Sequence, residues 1–166
     1  MSSKTRAGVQ LCLLLFSLCA WAQDKASPHK AQLRTTDTEI TMEASDDGPR
    51  LTTFAFPGQP EWQNRNSEAL IPFVIIEGQQ TPCTWRLNSE ASHVSEDQVV
   101  FVYESGSPHL RLSWEWRTRQ KFGPLEHQIR IENLDTREIW IPLQDTLAFD
   151  WQIDAKQPLQ QVFVEK

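Results

Sequence analysis

Cysteine is scarce in this chain. Of three cysteines, Cys12 and Cys19 fall in an apolar run near the amino terminus, so Cys83 stands alone in the remainder. A single thiol closes no internal disulfide and cannot supply a zinc site by itself. Cys83 sits in TPCTWRLN and reads as a small core residue, because a nucleophilic role needs a histidine base placed by the fold. Glycine is also thin, with six in 166 residues. There is no glycine-rich phosphate loop, no G-x-S-x-G, no H-E-x-x-H and no EF-hand spacing, and nothing calls for a cofactor or a metal. Positive charge is the third shortage, with 16 basic side chains against 22 acidic ones. A chain so acidic is repelled by phosphate backbones, which excludes nucleic acid as a partner class. Long apolar runs are missing too: the one from Val9 to Ala22 is shorter than the ~20 residues a membrane-spanning helix needs.

That run has another use. Lys4 and Arg6 make a basic start, VQLCLLLFSLCAWA follows, and Ala20-Trp21-Ala22 places small residues at the two positions a signal peptidase reads. This is the design of a secretory signal peptide, residues 1–22, cut after Ala22. The expected mature chain is secreted or periplasmic and has no membrane anchor. Leu11 before Cys12 and Leu18 before Cys19 fit poorly with lipid attachment, which wants a small residue there. Removing the signal leaves 14 basic side chains against the 22 acidic, a net of −8. Residues 23–37, QDKASPHKAQLRTTD, are polar and without a period, and read as a flexible lead-in. Residues 38–166 suffice for one domain.

This domain reads as strands. TEITMEA (38–44) and LTTFAF (51–56) alternate, with DDGPR between them as a turn. ALIPFVIIEG (69–78) is a continuous β-branched run, in which Pro72 argues against helix. CTWRLN (83–88) is short, and QVVFVYES (98–105) is apolar on both faces. In HLRLSWEWRTR, Leu110, Leu112, Trp114 and Trp116 share one face, opposite Arg111, Ser113, Glu115 and Arg117. LEHQIRIEN repeats the device with Leu125, His127, Ile129 and Ile131. RQKFGP between them suits an antiparallel hairpin. NLDTRE (133–138) is a turn, and IWIPLQDTLAFDWQI is a further extended segment interrupted at Pro142. The fold class that follows is all-β, an antiparallel β-sandwich.

Trp114 and Trp116 lie in a row of four apolar positions. That makes them core rather than a ligand platform, since burying each ring is worth roughly 2–3 kcal/mol. Trp62 differs. In GQPEWQNRNSE it has no apolar neighbours in sequence, and an aromatic ring among amides and charges suits a carbohydrate site, where flat rings stack on sugar faces. Trp62 is therefore the carbohydrate-binding candidate, and a ring folded back on the domain is the alternative. Trp85 and Trp140 are its candidate companions. His127, on an apolar face, reads as a satisfied core histidine, while His93 and His109 fall near turns. Asp145 with Asp150, or Glu126 with Glu132, could in principle form the carboxylate pair of a glycosidase, but none lies in a catalytic motif. No catalytic residue is assigned.

The order ALIPFVIIEG, TPCTWRL, VVFVYES, LRLSWEWRT and GPLEHQIRIENLDTREIWIPLQDTLAFDW resembles the amino-terminal β-domain of family 36 glycoside hydrolases, the bacterial α-galactosidases. Residues 123–151 carry most of the likeness, which spans about 38–166. The resemblance implies a galactose mutarotase-like supersandwich that precedes a catalytic (β/α)₈ barrel. Because the catalytic aspartates of that family sit on the barrel, it implies no catalytic residue here and an incomplete supersandwich. The expected role is a non-catalytic module supporting a separate barrel in galactoside degradation, with contacts between copies as a further role. The alternative is a stand-alone periplasmic module that binds carbohydrate or protein.

Overall fold

The computed structural model describes residues 29–68, 70–143 and 149–152. The segment expected to be a signal peptide, the start of the expected lead-in and Asp145 lie outside these residues. Among the described residues eleven strands follow one another: β1 (His29–Arg34), β2 (Glu39–Ser45), β3 (Gly48–Ala55), β4 (Trp62–Asn64), β5 (Phe73–Ile76), β6 (Gln79–Pro82), β7 (Trp85–Val94), β8 (Gln98–Gly106), β9 (His109–Thr118), β10 (Leu125–Asn133) and β11 (Trp151–Gln152). Among the described residues there is no helix. The strands form a five-stranded sheet β1-β2-β3-β4-β11, a four-stranded sheet β10-β9-β8-β7, and the separate hairpin β5-β6. Every pairing is antiparallel. β1 of the first sheet lies across β8 and β9 of the second, and β2 and β3 across β7, so the two sheets face each other as a sandwich.

Period-two patterning explains the strands that were expected. Along β9, Leu110, Leu112, Trp114 and Trp116 are all buried while the residues between them are half-buried or exposed. The register sets Trp114 between Phe101 of β8 and Ile129 of β10, and the Phe101 and Trp114 rings stack at 5.7 Å. From the first sheet, Leu33, Ile40, Met42, Ala44 and Leu51 complete the core. The outward faces carry ion pairs, Arg111 with Glu104 and Glu132, Arg117 and Arg119 with Glu126, and Glu43 with Lys30 and Arg50. Such solvated pairs contribute at most about 1 kcal/mol each.

Several expectations change, among them that CTWRLN is short, since β7 runs ten residues, and that IWIPLQDTLAFDWQI is extended, since 139–143 make one bridge, Trp140 with Ile75. Residues 29–34, placed in the lead-in, form an edge strand. Ala31 and Leu33 share one face and pair with Met42 and Ile40, and the Leu33 side chain is fully enclosed. Two apolar positions in a polar stretch leave too short a period to stand out, and burial against the neighbouring strand decides the outcome. ALIPFVIIEG yields only the four-residue β5, because Pro72 lacks an N–H for the ladder. Trp62 lies on β4 rather than in a loop.

Gly48 opens β3 at φ 119°, a conformation disfavoured for residues with a side chain. A Cβ there would stand 3.1 Å from the backbone oxygen of Glu68. Glycine thus lets the segment after β4 pass close over β3 and brings Glu68 inside.

Candidate functional site

The segment that follows β4 is anchored by one side chain. Asn64 donates from Nδ2 to the Leu51 oxygen at 2.9 Å and to the Asn66 oxygen at 3.1 Å. Its Oδ1 accepts from the Asn66 N–H at 3.2 Å and from the Asp150 N–H at 2.9 Å. Four residues on, the Glu68 N–H donates to the Pro49 oxygen at 3.0 Å. The Glu68 side chain then turns into the sandwich, where the residue is only 3% exposed. It is the one acidic or basic residue among the described residues that is buried.

Glu68 meets the inner face of the second sheet. The Trp114 indole N–H donates to Oε2 of its carboxyl group. The same oxygen lies 3.9 Å from Nε2 of His127. That imidazole stacks on Trp116 at 4.6 Å and meets Trp114 edge-on at 5.4 Å. Its Nδ1 is 3.0 Å from the backbone oxygen of Glu115. A carbonyl only accepts, so Nδ1 carries the hydrogen and Nε2 of the neutral ring is a bare lone pair. Among the described residues, Glu68 Oε1, His127 Nε2 and Trp116 Nε1 have no hydrogen-bond partner.

Burial dominates the electrostatics here. It pushes the Glu68 carboxyl up to about 7, against the Trp114 hydrogen bond, which favours the charged form. It holds His127 below its usual range, partly offset by the Glu115 carbonyl. The Tyr103 hydroxyl is pushed up by burial and, to a smaller extent, by Asp46 and Glu68 nearby. A carboxylic acid and an imidazole that both favour their neutral forms can hold and release a proton. The Glu68 carboxyl is enclosed beneath the Trp114 indole, while His127 also lines a surface pocket with Glu115, Arg117, Glu126 and Gln128.

Of the residues singled out from sequence, Trp114, Trp116 and His127 come together, and the two tryptophans are core. Trp62 has aromatic companions, contrary to the polar setting its neighbours in sequence suggested. Its ring lies 6.0 Å from Phe54, 6.0 Å from Phe56 and 6.3 Å from Trp151, and Phe149 stacks on Trp151 at 5.1 Å. Phe56 and Phe149 are each 40% exposed, so the cluster reaches the surface. Trp85 is elsewhere, half-buried against the core with its indole donating to the Ile71 oxygen at 2.7 Å. Trp140 pairs its backbone with Ile75 and leaves its ring in solvent. Glu126 and Glu132 are engaged by arginines on the outward face, while Asp150 lies beside Asn64 and Arg65. His93 and His109 are exposed. Cys83 is a half-buried free thiol, its pKa raised by burial. Among the described residues, no three His, Cys, Asp or Glu side chains are grouped to hold a metal.

Sequence reasoning missed Glu68. NRNSEALIP offers no period, and the only cue was an acidic residue entering an apolar run. No protein-family model matches this chain, and no curated protein or solved structure matches it either.

Proposed function

We propose that this chain is a non-catalytic β-sandwich module of an exported α-galactosidase-like glycoside hydrolase, supporting a separate catalytic barrel in carbohydrate degradation. The observation that carries the reading is an apolar strip on the outside of the sandwich. Trp140 is 65% exposed, Ile141 47% and Leu143 103%, on a segment that β5 holds through hydrogen bonds of 2.8 and 2.9 Å between Ile75 and Trp140. Exposed indole and aliphatic side chains in sequence mark a surface that gains by being covered. The resemblance of residues 123–151 to the α-galactosidase β-domain gives the barrel as the covering body. The engagement of Glu126 and Glu132 with arginines further supports a role outside the chemistry.

The test is an activity assay on the purified chain with a chromogenic α-galactoside. No turnover is expected alone, and turnover is expected once a family 36 barrel is supplied, with Trp140→Asp weakening the association. Hydrolysis by the unaided chain would contradict the reading.

A second reading rests on the ring cluster around Trp62, whose exposed edges at Phe56 and Phe149 offer apolar faces to a sugar. Calorimetric titration with galactosides separates the two. Heat of binding that Trp62→Ala abolishes favours a carbohydrate-binding module, and no heat favours the first reading.

A further inference from the structure

Glu68 and His127 belong to different parts of the fold, one to the segment after β4 and the other to β10 on the second sheet. The Glu115 carbonyl fixes the imidazole hydrogen on Nδ1, so His127 Nε2 faces Glu68 Oε2 at 3.9 Å with a lone pair. An ionised carboxylate would set negative charge against that lone pair inside the sandwich, with one indole N–H as its donor. One proton, on either partner, removes the conflict, whereas two leave a net cation in a largely buried site.

Few other groups compete. On β8 the facing titratable group is Tyr103, which also senses Asp46 of the β2–β3 turn. On β9, Glu115 contributes its backbone oxygen while its side chain accepts from Gln98. On β10, Glu126 is engaged by Arg117 and Arg119. Glu43 and Arg50 of β2 and β3 pair with each other on the first sheet. The Glu68 and Pro49 backbones are bonded to each other directly.

We propose that Glu68 and His127 form a one-proton latch that clips the segment after β4 to the second sheet and weakens when its proton is lost. The latch retains one proton in the folded state up to near neutrality. The unfolded chain binds two below about 4.5, one between about 4.5 and 6.5, and none above. Folding stability therefore falls toward acid, is level from about 4.5 to 6.5, and falls again as pH rises through about 7, where the latch empties. With Glu68→Gln the carboxyl is gone. Only His127 remains of the pair, and stability rises up to about pH 6.5 and then holds.

The experiment is urea unfolding of the full chain and the Glu68→Gln variant between pH 4 and 9. Groups elsewhere titrate alike in both and cancel in the ratio of their folding constants. That ratio, wild type over variant, should fall by up to about tenfold per pH unit between about 4.5 and 7. A ratio independent of pH overturns the proposal, and so does a fall that is unchanged when both chains also carry His127→Gln, since burial of Glu68 alone would then produce it. If the variant does not fold, ¹⁵N NMR of the wild-type chain decides. The Trp114 indole and His127 ring signals should move together with one midpoint near neutrality, with the hydrogen on Nδ1 throughout. Separate midpoints, or a hydrogen on Nε2 of the neutral ring, would refute the latch.

Discussion

Replacing Trp114 by phenylalanine tests the interior most sharply, because it keeps an aromatic ring and deletes the indole N–H that reaches Glu68. Two losses add. A hydrogen bond to a charged acceptor contributes about 1.5–3 kcal/mol. The smaller ring also gives up roughly 1 kcal/mol of apolar contact in a site where Trp114 is fully enclosed and stacked on Phe101. At pH 8 the expected cost is therefore about 3 kcal/mol, read from the urea midpoint by circular dichroism. At pH 5 the Glu68 carboxyl is protonated, the lost hydrogen bond is a neutral one of about 1 kcal/mol, and the cost drops to about 2 kcal/mol. Trp140→Phe, at an exposed ring, is the control and should stay within about 0.5 kcal/mol. If Trp114→Phe costs no more than this control, or costs the same at both pH values, the indole–carboxylate contact does not hold the core as described.

Other consequences are simpler to check. Leu33→Ala should cost about 2–5 kcal/mol in the same unfolding assay, since Leu33 is fully enclosed against Ile40; a value near zero would return residues 29–34 to a lead-in. Cys83 should react with iodoacetamide more slowly than free glutathione at pH 8, because burial raises its pKa and the thiolate is the reactive form, and urea should abolish the difference. Equal rates in the folded chain would mean that the thiol is open to solvent. Gly48→Ala should destabilise by more than about 1 kcal/mol, from the strained φ and the contact with the Glu68 oxygen. A stable variant would show that the segment after β4 does not pass close over β3.

What the sequence disclosed was local. In β9 every second residue is apolar, and in β10 every second residue but His127, so strand, face and hairpin partner could all be read from HLRLSWEWRTR and LEHQIRIEN; the β9 face is buried and the β10 face half-buried against it. His127 was expected as a satisfied core histidine; it lies on the inward row, half-buried, but its Nε2 has no hydrogen-bond partner among the described residues. Glu68 beside it was not legible, because it is set by a contact 59 positions away that no local period encodes. Trp62 shows the same limit. Its neighbours in sequence are polar, while its neighbours in space are Phe54 and Trp151, brought there by the pairing of β3, β4 and β11. β1 was hidden by brevity, with only Ala31 and Leu33 to mark its inner face.

Hydrogen exchange of the individual tryptophan indoles, followed by ¹⁵N NMR on the full chain, bears most directly on the layered architecture. The Trp114 and Trp116 indoles, enclosed at 0% and 7% exposure, should exchange last, and Trp140, at 65%, should exchange fastest of the three. Exchange of the Trp114 and Trp116 indoles as fast as that of Trp140 would mean that their face is wet, and the sandwich with its enclosed glutamate would have to be abandoned.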